Sequence, residues 1–147
     1  MMTTPDLQRI SYQRDQVTAG IMHVGVGAFH RAHQAVYIDS LLDFSSQWGI
    51  CGVNLRTEDR PLFDALKAQN GQYVLKTISP DGEVAYREIG SIIELIDASA
   101  VYQDAVTRAT DPSIRIISMT VTESGYNLDD DNVLDVSAKP IVDGLAS

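Results

Sequence analysis

A short apolar run, Ile21-Met22-His23-Val24, ends in two glycines one residue apart, Gly25 and Gly27, and a helical pattern begins at once with Ala28-Phe29-His30-Arg31-Ala32-His33-Gln34. A strand, a tight turn and a helix start compressed into so few residues form the opening of a βαβ unit of the kind that cradles a dinucleotide pyrophosphate. Gly25 permits the turn. Gly27 keeps a side chain out of the path of a phosphate, whose charge the free N–H groups at a helix start can meet. The third glycine of that fingerprint is missing, because His30 stands where Gly or Ala usually lets helix and strand pack closely. By spacing alone, an ordinary strand-to-helix turn remains the alternative.

The rest of the chain continues in the same alternation. Residues 1–20 are polar and mixed in charge, and read as an N-terminal extension with one short helix around Leu7 to Arg14. The first strand, Ile21–Gly25, opens the domain proper, 21–147. A helix from about Phe29 to Asp43 follows, with Ala35, Ile38, Leu41 and Leu42 at helical spacing, and Trp48–Leu55 is a short apolar run suited to a buried parallel strand. Gly49 and Gly52 inside it mark the close approach of a neighbouring backbone. A second helix opens near Glu58-Asp59-Arg60-Pro61 and ends at Asn70-Gly71. Tyr73–Ile78 and Glu83–Ile89 flank Ser79-Pro80-Asp81-Gly82, a β-hairpin that is an excursion in the sheet or an addition at its edge. Ser91–Ile96 is a further strand, Ser99–Ala109 a helix closed by Asp111-Pro112, and Ile114–Thr122 another buried strand, followed by the loop Glu123-Ser124-Gly125-Tyr126-Asn127. The expected fold is α/β, a Rossmann-like, doubly wound and mostly parallel sheet with a hairpin insertion. Two full halves need more strands than follow Asn127, so the chain reads as the first part of something larger.

Composition excludes several functions. With 11 Lys+Arg against 20 Asp+Glu the net charge is −9, which repels nucleic-acid phosphate and anionic membranes but leaves room for a local anion site built from backbone amides. One cysteine, Cys51, forms neither an internal disulfide nor a thiolate cluster. No apolar run is long enough to cross a bilayer and residues 1–16 lack a signal-peptide core, so the expected compartment is the cytoplasm. Oligomeric state is not legible.

In an open parallel sheet a ligand sits outside the carboxyl ends of the strands. Three segments take such ends: Gly25–Arg31, Asn54–Asp59 and Thr120–Tyr126. Glu58 and Asp59 are the candidate ribose-binding carboxylates, which favour NAD over NADP because they repel a 2′-phosphate; Arg56 could instead neutralise one. The other reading of the two acids is charge compensation at a helix start. Arg31 is a candidate charge-assisted pyrophosphate contact, or an exposed helical arginine. His30 and His33 have a spacing that can hold a metal, but no third ligand is evident, and none is assigned. Asn127 and Asp129-x-Asp131 fail as a calcium loop, since Asn132 replaces the turn glycine and Ala138 the bidentate acid. Ser118, Thr120 and Thr122 alternate along one strand, a possible cluster of hydroxyls.

Three blocks carry a more specific signal. Gly25-Val26-Gly27-Ala28-Phe29-His30-Arg31-Ala32-His33-Gln34-Ala35-Val36-Tyr37, then Trp48-Gly49-Ile50-Cys51-Gly52-Val53, then Thr120-Val121-Thr122-Glu123-Ser124-Gly125-Tyr126-Asn127 closely resemble the mannitol dehydrogenase family of long-chain polyol dehydrogenases, which includes the fructuronate and tagaturonate reductases. The resemblance implies a zinc-independent, NAD(P)-dependent oxidoreductase that interconverts a secondary alcohol and a ketone, on a polyol or sugar-acid substrate. It implies cofactor binding by Gly25, Val26, Gly27, Ala28, Phe29, His30, Arg31, Glu58, Asp59 and Thr122, and a place near the active site for Glu123. Ser124-Gly125 stands where the family usually has two glycines. The family's catalytic lysine, with its asparagine and histidine partners, belongs to a C-terminal domain outside these residues, so hydride transfer is not expected of this chain alone. A hexuronate reductase is the alternative within the class; a non-catalytic NAD-binding or sensing module is the alternative outside it.

Overall fold

The structure, a computed structural model, describes residues 6–121 and 123–146, with residues 123 and 124 described by their backbone alone. In chain order the elements are β1 (Leu7–Gln8), β2 (Ala19–Val24), α1 (Ala28–Ala32), α2 (Gln34–Leu41), β3 (Gly49–Asn54), α3 (Arg60–Ala68), β4 (Tyr73–Ile78), β5 (Val84–Ile89), β6 (Ile92–Asp97), α4 (Gln103–Ala109), β7 (Ile116–Met119) and α5 (Lys139–Ala146). Short 3₁₀ turns cover Arg14–Gln16, Ser46–Trp48, Thr57–Asp59 and Glu123–Tyr126.

Four strands form a sheet in the order β6-β3-β2-β7, and every pairing is parallel. Counted from β2, the spatial order is third, second, first, fourth, and the winding direction reverses between β2 and β7. The apolar runs produce this because both faces are covered. Ile21 and Ile50 face one core with Ala35, Phe63 and Leu66, while Met22, Cys51 and Val53 face another with Ala98 and Ala105. Cys51 is fully buried, and burial pushes its thiol up to about 12, so it packs as a small hydrophobe.

Several sequence expectations change. The hairpin β4–β5 joins neither the interior nor the edge of the parallel sheet. It forms a separate three-stranded sheet in the order β1-β5-β4. Residues 7–14 are not a helix: Leu7 and Gln8 pair in parallel with Tyr86 and Arg87. The guanidinium of Arg14 then donates to the carbonyls of Gly90 (2.9 Å), Ile92 (2.7 Å) and Asn70, which ties the N-terminal segment to the crossing between the two sheets. The expected helix over 29–43 is two helices with a break at His33 (φ −126°, ψ −85°). There the His33 ring donates from Nδ1 to the Phe29 carbonyl (2.8 Å) and stacks on the Phe29 ring, in place of the next helical turn. The close neighbours of Gly49 and Gly52 are side chains rather than backbone: Val17 and Ile93 for the first, Val26 and Leu95 for the second. Finally, β7 is a short edge strand, not a buried one. Ile117 is 55% and Met119 63% exposed, because among the described residues β2 is its only sheet neighbour. Beyond the elements expected from sequence, the structure adds helix α5 and the bridge Leu128–Leu134. No helix among the described residues is long and apolar enough to cross a membrane.

The crossing from β5 to β6 is held by a buried carboxylate on α2. Asp39 accepts from the Gly90 amide (2.8 Å), the Tyr12 hydroxyl (2.6 Å) and Arg87 (2.9 Å), while the hydroxyl of Ser91 donates to the Ala35 carbonyl (2.7 Å). Removing the carboxylate leaves the buried Gly90 amide without an acceptor and takes one from the half-buried Tyr12 hydroxyl and from the Arg87 guanidinium, which keeps Ser40. Asp39→Ala is expected to lower the unfolding free energy by roughly 3 kcal/mol, read as a drop in the urea midpoint, with the main parallel sheet still formed at low denaturant.

Candidate nucleotide-binding cleft

The carboxyl ends of β2, β3 and β7 open onto a cleft of about 290 Å³ lined by Gly25, Val26, Gly27, Ala28, Phe29, His30, Asn54, Arg56, Asp59, Leu62, Phe63 and Thr120. The turn after β2 forms its floor. Gly25 has φ +91°, a left-handed conformation that a side chain would strain, and its amide donates to the Val53 carbonyl on β3 (2.9 Å). Gly27 differs in kind. Its φ of −67° suits any residue, and a Cβ there would meet nothing within 4 Å. Neither strain nor packing requires glycine at that position, so what remains is the open space above the backbone, where a ligand can approach.

The turn lies against β3 because Gly52 has no side chain. A Cβ on Gly52 would stand 2.6 Å from Cγ1 of Val26. The close packing that a third fingerprint glycine usually gives is thus supplied from the neighbouring strand. His30, at the fingerprint position itself, is 1% exposed and stacks flat on His23 of β2, with centroids 3.8 Å apart and planes 10° apart.

Most of the residues singled out from sequence converge here: Gly25, Val26, Gly27, Ala28, Phe29, His30 and Asp59 all line the cleft. Arg31 and Glu58 do not. The Arg31 guanidinium turns back to the Val26 carbonyl (2.7 Å), and the carbonyl of Arg31 accepts from the Tyr73 hydroxyl (2.6 Å), so this arginine braces the turn from behind. Glu58 is exposed and pairs with Arg56 (3.7 Å), which also meets Asp59 (3.8 Å). Thr122 lies outside the described residues, and Glu123 begins the 3₁₀ turn after β7. His33 faces Phe29 rather than His30, and among the described residues no group of three His, Cys, Asp or Glu side chains could hold a metal ion.

Asn54 opens the segment Asn54–Asp59 that the sequence places at the rim, whereas Leu62 and Phe63 read from sequence only as the apolar face of a helix. Asn54 closes β3: its amide donates to the Arg56 carbonyl (2.9 Å) and to Asp97 (3.1 Å), and its side-chain oxygen accepts from the Arg56 amide (3.2 Å). Asp97, which also accepts from Ser99 and Arg60, is held well below the usual carboxylate range by those hydrogen bonds. The signal was present, as an Asn at a strand end two residues before a charged loop.

The β6-β3-β2-β7 order and the glycine turn at its switch point define a dinucleotide-binding domain of the Rossmann type. The sequence matches the description "Mannitol dehydrogenase Rossmann domain" over residues 19–147, and the chain belongs to the mannitol dehydrogenase family. It is 45% identical over 122 residues to a mannitol 2-dehydrogenase of Phaeosphaeria nodorum, covering 82% of this chain and 21% of that protein. It is 41% identical over 117 residues to a D-arabinitol 4-dehydrogenase of Klebsiella pneumoniae, covering 79% and 26%. Among solved structures, the Pseudomonas fluorescens mannitol 2-dehydrogenase in ternary complex with NAD and D-mannitol superimposes with a TM-score of 0.82 at 38% identity, over 97% of this chain and 30% of that one. A substrate-free D-sorbitol dehydrogenase gives 0.83 at 33% identity, covering 96% and 30%. The chain therefore spans only a fifth to a third of the length of these relatives.

Burial of the stacked rings has a consequence for stability. Desolvation, with the neighbouring His23 adding to it, lowers His30 to about 4, and desolvation lowers His23 as well. In the unfolded chain both rings take up a proton near the ordinary value of about 6.5. Between those limits the unfolded state binds more protons, so this contribution is intact above about 6.5 and declines as pH falls toward 4. The urea midpoint is expected to drop over that window, and to drop less in His30→Phe, which keeps a ring on His23. Parallel pH profiles for the two proteins would exclude the buried histidine as the cause.

Proposed function

We propose that this chain is the nicotinamide-cofactor-binding part of a polyol dehydrogenase, acting on a mannitol-like substrate and taking NAD in preference to NADP. The observation that carries the reading is Gly27: an unstrained glycine with open space where its Cβ would be, on the floor of a cleft at the carboxyl ends of parallel strands. A phosphate approaching that backbone meets amides that have no intrahelical acceptor. Phe63 and Leu62 offer an apolar wall farther along the cleft.

The loop after β3 supports the preference for NAD. Asp59 lines the cleft, and Arg56, the cation nearest to it, already pairs with both Glu58 and Asp59. A 2′-phosphate there would meet the Asp59 carboxylate and an arginine already paired with it and with Glu58 outside the cleft. A bound nicotinamide supplies the hydride acceptor for oxidation of a secondary alcohol; these residues bind the cofactor and orient it. Glu123 and Thr122, in the segment after β7, are proposed to face the same ligand. Relatives that act on mannitol and D-arabinitol support a polyol as substrate, and the proton-abstracting base is assigned to residues outside this chain.

Calorimetric titration of the folded chain with NAD and NADP tests this. NAD is expected to bind at least tenfold more tightly than NADP. Gly27→Asp, which puts a carboxylate in the phosphate path, is expected to weaken NAD at least a hundredfold, and Asp59→Ala to narrow the NAD/NADP ratio. A Gly27→Asp protein that binds NAD as well as its parent would overturn the assignment.

A further inference from the structure

Beneath the glycine turn, one side chain from each of α1, α2, β2 and β7 and that of Thr120, just after β7, are joined in series. His30 Nδ1 lies 3.0 Å from Gln34 Oε1, Gln34 Nε2 lies 3.3 Å from Ser118 Oγ, Ser118 Oγ lies 2.8 Å from His23 Nδ1, and His23 Nε2 lies 3.0 Å from Thr120 Oγ1. One end of the series is the Nε2 atom of His30, fully buried and without a hydrogen-bond partner among the described residues. The other end is the hydroxyl of Thr120, a residue that lines the cleft together with Gly25 and Gly27.

Burial keeps both rings neutral, so each contributes one N–H and one lone pair. An unbroken series can then run in only two senses. In the first, His30 Nδ1–H donates to Gln34, Gln34 to Ser118, Ser118 to His23, and His23 Nε2–H to Thr120. The leftovers are a bare lone pair on His30 Nε2 and an unspent hydrogen on Thr120. The second sense needs the Gln34 amide turned over, since its nitrogen only donates and its oxygen only accepts; every other bond then reverses, and His30 Nε2 carries an N–H in a place with no acceptor. An orphaned buried donor is the rarer and costlier arrangement. A break at Ser118, accepting from both sides, would strand its own hydrogen instead. The first sense therefore holds.

We infer that Thr120 is a ligand-binding residue whose hydroxyl is fixed as a donor into the cleft, with His23 and His30 as the positioning residues that fix it. The inference rests on the dinucleotide reading of the cleft, and the partner it assigns to Thr120 is an acceptor oxygen of a dinucleotide lying over the turn. It also gives His30 a reason to occupy a glycine position: its ring starts the series, and its stacking on His23 keeps the series in line.

Two measurements on the same folded chain test this. In titrations with NAD, Thr120→Val is expected to raise Kd about tenfold, the loss of one good hydrogen bond, while Thr120→Ser restores it to within about twofold. In ¹⁵N-histidine NMR spectra of the unliganded chain, His30 should be the Nδ1–H tautomer and His23 the Nε2–H tautomer. If the parent binds NAD and Thr120→Val binds it equally well, the role of Thr120 falls while the cleft assignment stands. A folded parent chain that binds no NAD removes both. His23 found as the Nδ1–H tautomer reverses the series and overturns the inference whatever the titrations show.

Discussion

The contact on which the cleft depends is Val26 seated over Gly52. The turn must leave β2, reverse in the left-handed region at Gly25 and still lie close enough to β3 for the Gly25 amide to reach the Val53 carbonyl. Any side chain at position 52 would push against Val26 at 2.6 Å, an overpacking that typically costs about 1–3 kcal/mol and here would lift the floor of the cleft. Gly27 can then stand open to a ligand because its neighbour Val26 bears the packing. The two residues divide the work of the turn, one facing the core and one facing the cleft.

That division frees the third fingerprint position for a large residue. In the usual arrangement a glycine there lets helix and strand approach. Here the helix carries His30 and the strand offers His23, and two flat rings at 3.8 Å achieve a close approach by stacking. The exchange has a chemical consequence, since two buried imidazoles need hydrogen-bond partners that two glycines would not. Ser118, Gln34 and Thr120 supply them for three of the four ring nitrogens, and the edge strand β7 is thereby tied to β2 by side chains as well as by its ladder.

The second sheet serves the first chiefly at the seam between β5 and β6. The chain leaves β5 at Ile89 and enters β6 at Ile92, and in between Gly90 and Ser91 are gripped by Asp39 and Ala35 of α2 and by Arg14 from the N-terminal segment. Residues 6–17, featureless as sequence, thus form part of the frame: β1 extends the hairpin, and Arg14 closes the seam. Tyr73, the first residue of β4, reaches the Arg31 carbonyl, so the hairpin also steadies the helix behind the turn.

The sequence by itself determined the βαβ order, the glycine turn, the approximate limits of β2, β3, β6 and α3, the hairpin and the family, because those rest on periodicity and on residues whose backbone chemistry is local. It also brought seven of its candidate residues to one cleft, since the ends of parallel strands must share a rim. Only the tertiary structure decided where longer side chains go. Arg31 found a carbonyl acceptor within its own turn, Glu58 and Arg56 neutralised each other at the surface, and His33 broke a helix that its neighbours would have continued. It likewise decided that the hairpin forms its own sheet with β1 and that β7 is an edge. Which strands pair, and which polar group meets which partner, depends on contacts between residues as much as 97 positions apart, as between His23 and Thr120, and no local pattern encodes them.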